Sequence, residues 1–293
     1  MKTLVIRTGG VGDTILTLSA ARWLKNREED VTVMAHGEYA DIVRRFGFGF
    51  IPYDGCDFES AFSDPSEKLM ITLAPFNAVI AIKSDLDGSM TKGLARAASG
   101  SVVRIEPLPP PGYTKHYTRF LVDSIAAALG LDPPEVVPRP ASDVLWKPAG
   151  EQGLVVHPGS GSKRKNWPRE NLSSVIESRL ENREGRVTLI LGPAEDDAAD
   201  FFSRMSDRVR VARNLRLGDV FKILSGSQAY LGMDSGITHI AATAGAPVVA
   251  LFGPTDPAVW GPDGERTRII KSSDGRMDSI GVDEVLEALE SWR

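Results

Sequence analysis

"GMDSGITHIAATAGAPVVALFGPTD", residues 232–256, carries the alternation on which the fold turns. The run "AYLG" (229–232), which leads into it, has the short apolar character of a buried strand. "ITHIAATAG" (237–245) reads as a helix of small residues stopped by Gly245, and "PVVALF" (247–252) is a second buried strand. Asp234, Ser235 and Gly236 therefore occupy a strand-to-helix turn. There the free backbone N–H groups and the positive end of the helix dipole point outward, as an anion site requires. Gly236 lets a ligand approach the backbone, and Ser235 can cap the helix or donate to a phosphate oxygen. His239 lies one helical turn further on. An Asp/Ser cap followed by a core histidine accounts for the same residues, so both readings stand at this point.

Outward from this stretch the alternation continues. In the first half "TLVIR", "VTVMA", "FGFIPY", "FNAVIAIKS" and "SVVRIEP" read as strands. Helical runs over "TILTLSAARWLKN", "EYADIVRRFG" and "MTKGLARAAS" follow the first, second and fourth of these strands, and "YTKHYTRFLVDSIAAALGL" follows the last as a strong helix ended by Gly130. Pro133, Pro134, Pro138, Pro140 and Pro148 then mark a linker near the middle of the chain. The second half restarts with "GLVVHP", the helix "WPRENLSSVIESRLEN" and "VTLILG". Helices over "PAEDDAADFFSRMS" and "LGDVFKILSGS" lead back to the opening stretch. The expected fold is α/β: two Rossmann-like, doubly wound domains, 1–140 and 141–293, facing a central cleft. An amphipathic helix over about 282–292 ends the chain, and the sequence leaves it free to pack back on the first domain. Ligands of such sheets gather at the carboxyl ends of the strands.

Composition bounds the function. The chain has 293 residues, 42% hydrophobic and 25% charged, and a formal net charge of −5. Residues 1–140 hold 15 Lys/Arg against 17 Asp/Glu, and the rest 19 against 22, so neither half is a basic module for nucleic acid. Cys56 is the only cysteine, which excludes a disulfide framework and a cysteine-based zinc site. "MKTLVIRTGG" breaks its apolar run at Arg7, unlike a signal peptide. No stretch approaches the ~18 apolar residues of a membrane span. A cytoplasmic protein is expected.

Three loops carry the chemistry. The first is "TGGVGDT" (8–14), where Gly10 and Gly12 fit a loose GxGxxG pattern but Ile15 stands in place of the third glycine. The second strand leads to His36 rather than to a ribose-binding acid, which argues against a dinucleotide cofactor. Asp13 is the one titratable group in this turn. It either caps its helix or, as a carboxylate at the cleft mouth, takes a proton from a hydroxyl held close by. The second loop is "HPGSGSKRKNWP" (157–168), in which hydroxyls, backbone N–H groups, Lys163, Arg164 and Lys165 precede a helix. Such a set suits a diphosphate, although a solvated basic loop has the same composition. The third is the opening stretch continued into "FGPTDPAVWGP" (252–262), stiffened by three prolines and two glycines. The chain lacks a GxSxG elbow and a spaced His/carboxylate set for a metal.

With "GGVGD", "HPGSGSKRKNWP" and "DSGITHIAATAGAPVVALFGPTDPAVWGP" in this order, the chain resembles the ADP-heptose:lipopolysaccharide heptosyltransferase family along its whole length. The resemblance implies a GT-B type architecture, with the acceptor on the N-terminal domain and the nucleotide-sugar donor on the C-terminal one. It implies an inverting transfer with no metal and no cofactor beyond the substrate ADP-heptose or a related nucleotide sugar. Asp13 would be the general base, on the glycine-rich turn of Gly10 and Gly12. Lys165, with Ser160 beside it, would hold the donor diphosphate. Asp234 would contact the sugar, and Ser235, Gly236 and His239 the phosphate and nucleoside. The acceptor would be a glycan or glycolipid, with peripheral contact at the inner membrane surface. Where members often carry an acid at the start of the helix before "AYLGMD", near the ribose, this chain has Gly218, with Asp219 one place on. The segment Asp54 to Glu67 is acidic where a phosphate-rich acceptor would want basic groups. A nucleotide-sugar epimerase, and a donor-binding protein that has lost catalysis, are the alternatives.

Overall fold

The computed structural model describes residues 1–27, 29–140, 153–181, 186–195, 200–202 and 204–292. The expected domain boundary after residue 140, Pro148 and part of the helix expected over 193–206 lie outside the described residues. The chain divides into two compact units, Met1–Asp143 and Val144–Arg293.

In the first unit, β1 (Lys2–Arg7), β2 (Asp30–Ala35), β3 (Gly49–Pro52), β4 (Ala78–Ile82) and β5 (Ser101–Ile105) form one sheet. Every pairing is parallel, in the order β3-β2-β1-β4-β5. The inner strands read as unbroken apolar runs because helices cover both of their faces. Leu4, Ile6, Val79 and Ala81 are wholly buried. The strand order reverses between β1 and β4, whose last residues, Arg7 and Ile82, stand in register.

The second unit holds β6 (Leu154–His157), β7 (Val187–Leu191), β8 (Val209–Arg213), β9 (Ala229–Met233), β10 (Val248–Phe252) and β11 (Thr267–Lys271). This sheet is also parallel, in the order β11-β10-β9-β6-β7-β8. Its order reverses between β6 and β9. Gly245, at φ +80°, follows the helix Gly236–Thr243 as the expected stop. The last helix, Val282–Glu290, packs on the helix Arg169–Glu181 and on β10, with Val285 and Ala288 fully buried. It therefore belongs to the core of the second unit. Among the described residues, no helix is long and apolar enough to cross a membrane.

Candidate functional site

Each sheet places a chemically marked turn at its point of strand-order reversal, where doubly wound sheets open a crevice. In the first unit that turn is Thr8–Gly10. It is shorter than the sequence suggests, because the helix Val11–Lys25 already includes Gly12, and Gly10 is its N-cap. Asp13 lies in the first helical turn, and its Oδ2 accepts the Gly10 N–H at 2.9 Å. The capping expectation thus describes one oxygen only. The other, Oδ1, accepts from Arg7 Nη2 at 2.7 Å. Arg7 is buried, and its Nη1 also donates to the Ile82 carbonyl at 3.3 Å, so it bridges β1 and β4. Asp13 keeps 32% of its side chain exposed. It is a carboxylate fixed from two sides and open on a third. Gly9 completes the fit, since a Cβ there would fall 2.4 Å from Asp13 Oδ2. Beside the turn, Lys83 Nζ donates to Thr8 Oγ1 at 3.2 Å, and His36 Nε2 lies 3.2 Å from the Thr8 carbonyl.

In the second unit, the loops after β6 and β9 meet. Of the three cations that follow β6, Lys163 and Arg164 are exposed, whereas Lys165 turns inward. Lys165 Nζ sits 2.7 Å from Asp234 Oδ2, with side-chain exposures of 28% and 10%. The same oxygen accepts from Thr255 Oγ1 at 2.5 Å. These distances lie in the range of charge-assisted hydrogen bonds. Ser235 is the N-cap of the helix Gly236–Thr243, and its Oγ accepts from the Thr238 N–H at 3.4 Å. The capping reading of Ser235 is therefore realised, and the helix opens at the partly buried Gly236, two residues after Asp234. His239 is buried one turn further along.

Ser160 does not touch this pair. Its Oγ lies 2.6 Å from both Asn166 Oδ1 and the Ser162 carbonyl, which closes the loop on itself. His157 serves structure as well: Nδ1 lies 2.8 Å from the Ile190 carbonyl, and burial pushes its pKa below the ordinary value.

A pocket of about 470 Å³ opens beside the loop, lined among others by Ser160, Ser162, Asn166, Trp167 and Glu195. Glu195 was not singled out from the sequence. Its Oε2 accepts the Gly192 N–H at 2.8 Å, and a Cβ on Gly159 would fall 2.0 Å from its Oε1. The available signal was an acid three residues after the glycine that ends "VTLILG". Asp219, one place beyond Gly218, is paired with Lys222 on its own helix at 2.9 Å. That hydrogen bond holds its carboxyl below the usual range. Among the described residues, no group of three or more His, Cys, Asp or Glu side chains is arranged to hold a metal ion.

Residues 129–288, more than half of the chain, match the family model for glycosyltransferase family 9 (heptosyltransferase). The chain belongs to this family. The match spans the loops of Lys165, Asp234 and Thr255. Among its relatives is lipopolysaccharide heptosyltransferase 1 of Escherichia coli strain K12, 27% identical over 144 residues that cover 49% of this chain and 44% of the relative. Lipopolysaccharide heptosyltransferase 3 of the same strain is 32% identical over 114 residues, 37% of this chain and 33% of the relative. The chain thus spans less than half the length of these curated relatives. Among solved structures, E. coli heptosyltransferase WaaC with ADP superposes with a TM-score of 0.79 at 20% identity, covering 100% of both chains. E. coli ADP-heptose lps heptosyltransferase II gives 0.80 at 18%, covering 100% of this chain and 98% of that one. At such identities the likeness establishes the fold: the two-domain GT-B architecture of the family 9 glycosyltransferases.

Proposed function

We propose that this chain is a glycosyltransferase that moves a heptose, or a related sugar, from an ADP-sugar to a hydroxyl of a lipopolysaccharide-core or other glycan acceptor. The carrying observation is the convergence of Lys165, Asp234 and the Ser235-capped helix start where the strand order of the second sheet reverses. A cation and a helix N-terminus are what a diphosphate needs, and a half-screened carboxylate beside them is what sugar hydroxyls need. The nucleoside would lie toward the pocket of Ser160 and Glu195, whose carboxylate can accept from ribose hydroxyls. Gly236 and His239 complete the phosphate and nucleoside contacts.

Catalysis, in this reading, is a single inverting displacement. The acceptor oxygen attacks the anomeric carbon, the bond from that carbon to the diphosphate oxygen breaks, and ADP leaves with the electron pair. Asp13 takes the proton of the attacking hydroxyl. Lys165 and the helix dipole offset the charge that grows on the leaving diphosphate, so the reaction runs without a metal or other cofactor. A glycolipid acceptor would bring the protein to the cytoplasmic membrane surface.

Incubation with ADP-heptose and acceptor extracts separates the readings. Sugar transfer supports the proposal, whereas an isomerised donor identifies an epimerase and binding alone identifies a non-catalytic relative. Turnover should persist in EDTA. Loss that magnesium or manganese restores would overturn the metal-free mechanism.

Gly9→Ala tests the placement of Asp13. The added Cβ must displace the carboxylate, and misplacement of a reacting group by about 1 Å costs up to ~100-fold in rate. We expect kcat to fall by ~10–100-fold with donor affinity held within about twofold. An unchanged kcat would show that the position of this carboxylate does not matter.

A further inference from the structure

We infer that Thr255 is the positioning residue that keeps the Asp234 carboxylate aimed at the donor sugar once Lys165 has turned to the diphosphate. The inference rests on the donor reading above and adds a residue to it. Asp234 Oδ2 carries two bonds, from Lys165 Nζ at 2.7 Å and from Thr255 Oγ1 at 2.5 Å. A diphosphate bound at the helix start competes for the Lys165 ammonium, so the first bond weakens as donor enters. Thr255 is neutral and has no such competing demand. Its hydroxyl hydrogen stays on Oδ2 and leaves Oδ1 to accept from sugar hydroxyls.

The loop that carries Thr255 is built to hold still. At one end Gly253 packs so closely that a Cβ would fall 2.6 Å from Met277 Sδ and 3.2 Å from the Gly275 carbonyl. At the other, Asp256 caps the helix Pro257–Trp260, its Oδ1 accepting the Ala258 N–H at 3.1 Å. Pro254 restricts the backbone between these anchors, and Pro257 opens the helix that Asp256 caps. Thr255 itself is half-buried, so replacing it does not open the core.

The test compares Thr255→Val and Thr255→Ser in the full-length protein, with calorimetric Kd values for ADP and for ADP-heptose. Valine keeps the branched shape and removes the donor, and a lost hydrogen bond to a charged group corresponds to about a tenfold or larger change in Kd. We expect Thr255→Val to weaken ADP-heptose by about tenfold with ADP held within about twofold, and Thr255→Ser to recover most of that loss. Equal effects on both ligands, no effect on either, or a serine variant no better than valine would each overturn the inference. Asp234→Asn, measured alongside, separates the two levels of argument. If it distinguishes ADP-heptose from ADP while Thr255→Val does not, the inference fails and the donor reading survives. If it treats both ligands alike, the sugar contact of Asp234 fails and the role of Thr255 falls with it.

Discussion

Asp13→Asn should lower kcat by ~10²–10⁴-fold, the usual share of a general base, with little change in donor affinity. Asparagine keeps the shape of the side chain, and its carbonyl oxygen can still accept the Gly10 N–H now held at 2.9 Å. What it loses is the capacity to take a proton and the charge that faces Arg7. That second loss matters, because Arg7 is buried and its pairing with Asp13 at 2.7 Å is the only ion pair it makes among the described residues. A fall in stability of about 1–3 kcal/mol is therefore expected beside the catalytic effect, as for a hydrogen bond to a buried charged group. The double variant Arg7→Met, Asp13→Asn removes the orphaned charge. It should recover thermal stability without recovering turnover. If the carboxylate were only a helix cap, a folded Asp13→Asn protein would turn over its acceptor near the wild-type rate. That result would end the catalytic assignment.

The legible parts of this fold are those that physics marks locally. Inner strands of a parallel sheet are buried on both faces, so β1, β4, β6, β9 and β10 stand out as apolar runs. The strands β8 and β11 went unread for the complementary reason. They are the two edges of the second sheet, and "VRVAR" and "TRIIK" expose Arg210, Arg213, Arg268 and Lys271, as edge strands do to discourage further pairing. The helix Glu67–Leu73 starts at the last residue of the acidic stretch Asp54 to Glu67 and is likewise absent from the sequence reading. Its cap, Ser66 Oγ accepting the Leu69 N–H at 3.2 Å, uses a serine that nothing in the local pattern distinguishes.

The site shows the same division. Lys165 and Asp234 could be singled out because each stands in a marked turn after an apolar strand. Their contact could not, because 69 residues separate them and only the pairing of β6 with β9 brings the turns together. Arg7 is the sharper case. In the sequence it is the residue that ends an apolar run, whereas in the fold the same position puts a buried cation against Asp13. Glu195 and Thr255 contribute through loops from neighbouring strands: Glu195 has a local spacing only to Gly192, and none connects it to Gly159 or Thr255 to Asp234.

Lys165→Ala should weaken ADP and ADP-heptose by similar factors of about 10–100-fold, because both ligands carry the diphosphate that the ammonium holds. This equality sets it apart from Thr255→Val, which spares ADP. Two effects of the same sign combine. The contact to phosphate is lost, and the Asp234 carboxylate, with only 10% of its side chain exposed, keeps Thr255 as its one remaining hydrogen-bond donor among the described residues and turns uncompensated charge toward an anionic ligand. The second effect is electrostatic, so added salt should narrow the gap between wild type and variant. Adenosine lacks the diphosphate and should bind both proteins alike. Lys165→Arg keeps the charge but spreads it over a planar fork, so it should restore part of the ADP affinity. An alanine variant with unchanged Kd for ADP would remove Lys165 from the donor site. The Lys165–Asp234 pair would then be no more than a strut between the loops that follow β6 and β9.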